Sequence, residues 1–123
     1  MSTRILYVDD EADLREVAVM SLELDPDFEV RECASGEAAL TLARDWRLAL
    51  ILLDVMMPGM DGPATRRALA DQPETATIPV AFITARTQAH DVAALLALGA
   101  RAVLAKPFDP MALAGQVREL LDG

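Results

Sequence analysis

Five short apolar runs alternate with five segments of helical period, and this alternation constrains the fold more than any other feature. Arg4-Ile5-Leu6-Tyr7-Val8 reads as a short buried strand. Residues 11–24 then place Leu14, Val17, Ala18 and Leu22 on one helical face, and Asp25-Pro26-Asp27 ends it. Phe28 to Cys33 alternates apolar and charged residues, as an edge strand does. Ser35 caps a second helix bearing Ala38, Ala39, Leu42 and Trp46. Leu48 to Leu53 is nearly continuous in apolar residues, which marks a central strand covered on both faces. After the loop Pro58-Gly59-Met60-Asp61-Gly62, Pro63 at a first helical position opens a third helix to about Asp71. Pro79 to Ile83 is a fourth strand, and Gln88 to Leu98 a fourth helix stopped by Gly99. Ala102 to Ala105 is a fifth strand, and Pro110 to Leu121 a last helix. Alternating β and α units predict an α/β, doubly wound (βα)5 three-layer sandwich around a parallel sheet. At 123 residues, one domain over 1–123 is expected, with no room after Leu121 for an appended output domain.

In such a sheet, chemistry collects beyond the carboxyl ends of the strands. Asp9, Asp10 and Glu11 follow the first strand, Asp54 the third, Thr84 the fourth and Lys106 the fifth. Taken singly, an Asp there is equally well a helix cap or loop carboxylate. Taken together, the set specifies more. Three clustered carboxylates repel and stay ionised only around a cation. Oxygen donors in small number suit Mg²⁺, or Mn²⁺, which keeps waters and accepts a phosphate oxygen. A carboxylate is also a nucleophile toward phosphorus. Transfer to it needs neutralised phosphoryl oxygens, which the Lys106 ammonium and the Thr84 hydroxyl supply. Ten of the eleven basic residues are Arg, so Lys106 stands out as the only lysine. Guanidinium and ammonium differ in shape and hydration. Codon bias accounts for the ten arginines, and the position of Lys106 accounts for the exception.

The net charge of −9 argues against a nucleic-acid surface and against an anchor on anionic lipid. Cys33 is the only cysteine, no signal peptide is expected ahead of the first strand, and no apolar run reaches ~18 residues. A cytoplasmic location is expected, with no membrane contact.

The motifs Asp9-Asp10, then Asp54 followed by Met57-Pro58-Gly59-Met60-Asp61-Gly62, then Thr84-Ala85, then Lys106-Pro107-Phe108 resemble the receiver domain of two-component response regulators. The resemblance covers the whole chain. It implies sheet order 2-1-3-4-5. It makes Asp54 the phosphoacceptor and Asp9, Asp10, Asp54 and the Met56 backbone carbonyl the metal set, with Asp9 acting through metal-bound water. Thr84 becomes the switch hydroxyl and Lys106 the phosphoryl partner, with Lys106-Pro107 a cis peptide. It implies a sensor histidine kinase or a histidine phosphotransfer protein as donor. The downstream protein is expected on the face of helix 4, strand 5 and helix 5, with homodimerisation on phosphorylation left open.

The chain departs from the family pattern at Val103, where receivers usually carry Tyr or Phe. An aromatic rotamer switch is therefore not expected, and the signal is expected to leave through the loop after the fourth strand. Met56 and Arg86 flank the phosphate at positions that tune dephosphorylation in the family. Their bulk predicts a long-lived phosphoryl group. His90 reads as a solvated surface residue, Cys33 as a small core residue, and Trp46 and Phe28 as packing aromatics. Asp10-Glu11-Ala12-Asp13 spells a helicase-like string, but no Gly-Lys-Ser/Thr phosphate loop accompanies it. Three rivals remain at this level. An aspartate-nucleophile phosphatase wants an acid where Met56 stands. A flavodoxin-type binder is disfavoured by three acids after the first strand. A receiver that signals by contact without phosphorylation is kept alive by Val103.

Overall fold

The computed structural model describes residues 2–123. The elements alternate as β1 (Thr3–Val8), α1 (Ala12–Leu22), β2 (Phe28–Cys33), α2 (Gly36–Asp45), β3 (Leu50–Asp54), α3 (Gly62–Ala70), β4 (Val80–Thr84), α4 (Ala89–Ala97), β5 (Ala102–Ala105) and α5 (Leu113–Asp122). All pairings are parallel and the sheet order is β2-β1-β3-β4-β5. This is the expected doubly wound fold. Every residue of β3 and β4 is buried, including Asp54 and Thr84, which are the last residues of their strands rather than the first after them. The residues before them are all apolar, as strands covered on both faces require. β2 lies at the sheet edge and alternates, as its sequence does.

The two-residue period of each strand divides the core into two layers. Leu6, Val8, Ile51, Leu53, Val80 and Phe82 point to one side, where Ala39, Ala43, Leu69 and Leu95 of α2, α3 and α4 cover them. Ile5, Tyr7, Leu50, Leu52, Ala81 and Ile83 point to the other, under Ala18, Leu22, Leu113 and Val117 of α1 and α5. Among the described residues no helix is long and apolar enough to cross a membrane.

Local chemistry sets the element ends. Ser35 Oγ accepts from the Ala38 N–H at 3.1 Å and caps α2. Asp61 caps α3 through the Ala64 N–H at 2.9 Å. The cap at Asp61 makes Gly62 the first helical residue, so Pro63 sits one place later than the sequence suggests. Gly99, at φ 93°, takes the left-handed conformation that ends α4. α5 starts at Leu113 rather than Pro110, because Asp109 builds a turn first. Its Oδ1 accepts from the Met111 N–H, and its carbonyl from the Ala112 and Leu113 N–H groups. Trp46 does not ride on α2 but ends it in extended conformation. It is buried there under Arg31, whose guanidinium lies 4.2 Å from the ring centre. Phe28 is covered in the same way by Arg118 at 4.7 Å. Cys33 is half-buried against the α2–α3–α4 layer, and His90 is exposed.

Candidate functional site: an acidic cleft at the strand ends

Strand order and register converge on one edge. β1 is paired with β2 on one side and β3 on the other, so the chain reverses direction across the sheet at β1 and β3. Val8 is in register with Leu53, which sets Asp9 beside Asp54. Thr84 is in register with Ala105, so Lys106 emerges next to it. Glu11, Asp54, Met56, Thr84 and Lys106 line an open cleft there of about 340 Å³.

Asp9, Asp10 and Asp54 each present a carboxylate oxygen within 4.8 Å of the others. Asp9 and Asp54 are buried while Asp10 is exposed. Hard oxygen donors, two of them desolvated and all mutually repelling, fit a divalent cation such as Mg²⁺. Lys106 Nζ lies 3.1 Å from Asp9 Oδ2, 3.3 Å from Asp54 Oδ2 and 3.7 Å from Glu11 Oε1. One ammonium therefore faces three carboxylates besides Asp10, and the balance is left negative. Burial pushes the Asp54 carboxyl up to about 6, the Asp9 charge adds to this, and Lys106 opposes it. Burial pulls the Lys106 ammonium down, but its hydrogen bond to Asp9 and the charges of Asp54 and Asp9 outweigh that and hold it above its usual value.

Backbone contacts fix the position of Asp54. A Cβ on Gly62 would meet the Asp54 carbonyl oxygen at 2.5 Å, so only glycine lets α3 start so close behind Asp54. Gly62 N–H donates to the Val55 carbonyl at 3.0 Å and ties the loop back to β3. Thr84 Oγ1 accepts from the Arg86 N–H at 3.0 Å, which leaves its own proton for a ligand in the cleft. The Lys106–Pro107 peptide is cis.

The fold thus brings Asp9, Asp10, Asp54, Thr84 and Lys106 to one place. Met56 is 68% exposed and lines the cleft with them. Exposed Arg86 lies over a neighbouring hollow shared with Met56, Thr84 and Leu95. Val103 is not in the cleft. It stands opposite Phe82 in the sheet and packs half-buried against the α2–α3–α4 layer.

Two residues that sequence reasoning missed support the acids. Tyr7 donates its hydroxyl to Asp9 Oδ2 at 3.1 Å. Burial first, then the Asp9 carboxylate, pushes its phenol far above the usual range, so it stays a donor. Arg15 donates through Nη1 to the Asp9 carbonyl and through Nε to Glu32 Oε1, both at 2.9 Å. It thereby ties the β1–α1 loop to the end of β2. The signal for Tyr7 was its place two residues before Asp9 on a strand, which puts both on one face. Arg15 gave no comparable signal, since Glu32 is its partner only once β2 lies beside β1.

Comparison with known proteins agrees with this geometry. The response regulator receiver domain family matches residues 5–118. Response regulator PleD of Caulobacter vibrioides is 44% identical over 122 residues, covering 98% of this chain and 26% of PleD. DNA-binding response regulator MtrA of Mycobacterium tuberculosis is 39% identical over 122 residues, covering 98% of this chain and 51% of MtrA. The chain therefore spans about a quarter of one curated relative and half of the other. Because MtrA is named as DNA-binding, these relatives lend no weight to the expectation of no nucleic-acid contact. The chemotaxis response regulator CheY4 of Vibrio cholerae superposes with a TM-score of 0.88 at 30% identity, over 98% of this chain and 99% of that one. The chain belongs to the response regulator receiver domain family of two-component signalling.

Proposed function

We propose that residues 1–123 work as one receiver unit that takes a phosphoryl group onto Asp54 and thereby changes its affinity for a partner protein. One observation carries this reading. A buried carboxylate, Asp54, stands 3.3 Å from the only lysine of the chain and beside two further acids at the mouth of an open cleft. An Asp54 Oδ attacks phosphorus in line with the leaving group. As the new O–P bond forms, the bond from phosphorus to the donor's histidine nitrogen breaks, and that nitrogen keeps the electron pair. Lys106 pairs with one phosphoryl oxygen, and the Thr84 hydroxyl donates to another. Asp10 and Asp54, with Asp9 and the Met56 carbonyl, would hold Mg²⁺ or Mn²⁺, which when bound neutralises charge on the transferred group. The donor is a sensor histidine kinase or a histidine phosphotransfer protein. The chain acts as a stoichiometric acceptor rather than a turnover enzyme, with slow hydrolysis of its own acyl phosphate. Met56 crowds the side from which water would approach.

The downstream partner is assigned to the α4–β5–α5 face, where Leu96 and Leu98 are exposed. A second copy docking there after phosphorylation would appear as a doubled mass in light scattering. We assign no direct contact with nucleic acid or membrane to these residues, given a net charge of −9, and a cytoplasmic location.

The test is incubation with Mg²⁺ and acetyl phosphate, followed by intact mass. The wild type is expected to gain one phosphoryl group and Asp54→Asn none. Absence of any gain in the wild type overturns the reading.

A further inference from the structure

We propose that Tyr7 is a positioning residue for phosphoryl transfer: its hydroxyl holds the Asp9 carboxylate in place when Lys106 moves from Asp9 to the phosphoryl group. The proposal rests on the assignment of Asp54 as acceptor.

Asp9 is fully buried, and three donors meet its carboxylate. Oδ1 takes the Glu11 N–H at 2.9 Å, and Oδ2 takes both Tyr7 Oη and Lys106 Nζ at 3.1 Å. Lys106 also reaches Asp54 Oδ2 at 3.3 Å. A phosphoryl group built onto Asp54 adds anionic oxygens on that side, and the ammonium on its flexible stem follows the charge. Its contact with Asp9 weakens as it does so. A buried carboxylate that loses a charged partner is costly unless another donor remains. Arg15 is not that donor, since it bonds the Asp9 carbonyl and not the carboxylate. Tyr7 is. Its ring is 1% exposed, and it meets Phe108 edge-on at 6.4 Å and 73°. The hydroxyl therefore stays aimed at Asp9 Oδ2. Phe108 follows directly on Lys106-Pro107, so the segment that carries the cation also fixes the ring that replaces it. A neutral phenol holds Asp9 without competing for phosphoryl oxygens, as a second cation would.

Tyr7 is the only tyrosine, so a ¹³Cζ-tyrosine label gives a single NMR signal. In wild-type protein saturated with Mg²⁺, adding beryllofluoride is expected to move that signal downfield, as the phenol becomes the main partner of Oδ2. Tyr7→Phe keeps the ring and removes the hydroxyl. It is expected to slow phosphorylation by acetyl phosphate about three- to tenfold. Its Mg²⁺ affinity by calorimetry should stay within about twofold of wild type. An unmoved signal, an unchanged rate, or equal losses of rate and Mg²⁺ affinity each overturn the proposal. The NMR arm needs no variant, so poor folding of Tyr7→Phe would not spare it. Failure of wild-type protein to gain mass from acetyl phosphate would instead sink the assignment of Asp54, a separate and distinguishable result.

Discussion

Asp54 is an acid held against its own ionisation. Its carboxyl is raised to about 6, chiefly by burial and by Asp9. Between the ordinary carboxylate value and 6, the folded state binds more protons than the unfolded one, so stability falls as pH rises through that window. Above it the whole cost is present, on the order of 2–3 kcal/mol for a shift of about two units. Metal-free Asp54→Asn is therefore expected to be more stable than wild type at pH 7.5 by about 1–3 kcal/mol, with the gap closing near pH 4. Urea unfolding at both pH values measures it, and a less stable variant at pH 7.5 would mean that pairing with Lys106 prevails. Met56 gives a kinetic counterpart. It is apolar, 68% exposed and at the cleft. Met56→Asn is expected to speed loss of the phosphoryl group about three- to tenfold by admitting an oriented water. The decay of phosphorylated mass with time checks this, and an unchanged or slower decay removes Met56 as the obstruction.

At the scale of elements, the signal is expected to leave through Thr84 and the β4–α4 loop, since Val103 stands where receivers usually carry an aromatic. The Thr84 hydroxyl is already coupled to this loop through the Arg86 N–H. Beryllofluoride is expected to shift the Arg86 amide in ¹H–¹⁵N spectra, and Thr84→Ala to abolish most of that shift. A stationary Arg86 amide in the wild type would mean that the loop does not carry the signal. Elements of this kind were legible because apolar runs and caps are local: Ser35, Gly99 and the buried β3 run act through neighbours in sequence. Three boundaries were not. The Asp109 turn delays α5, Asp61 moves the start of α3, and Trp46 leaves its helix to lie under Arg31 of β2. The acids, Thr84 and Lys106 were legible because each terminates a strand, whereas Tyr7 and Arg15 act through partners that only the folded loop supplies. Trp46 also ends α2 at the edge where the strands begin, far from the acids. Its fluorescence is therefore a poor direct reporter of the cleft.

Across the whole molecule, the excess of acids is not spread evenly, since part of it is concentrated where four strand ends meet. Asp9, Asp10 and Asp54 repel across less than 4.8 Å, and one lysine only partly offsets them. A sheet that brings these charges together holds unfavourable energy that a divalent cation relieves, and the unfolded chain, with the acids apart, gains little from the ion. Mg²⁺ is therefore expected to stabilise the fold by mass action. At ten times its dissociation constant the gain is about 1.4 kcal/mol, or roughly 4–8 °C in Tm for a chain of this size. NaCl at matched ionic strength screens exposed Asp10 but reaches the buried pair poorly, so its effect should be much smaller. Scanning calorimetry of the wild type and Asp10→Asn with either salt separates the two. Equal shifts from Mg²⁺ and NaCl would mean that the acids at the strand ends are merely screened and bind no ion. A shift specific to Mg²⁺ and lost in Asp10→Asn would tie the stability of the whole sheet to the same cluster that the proposed phosphoryl transfer uses.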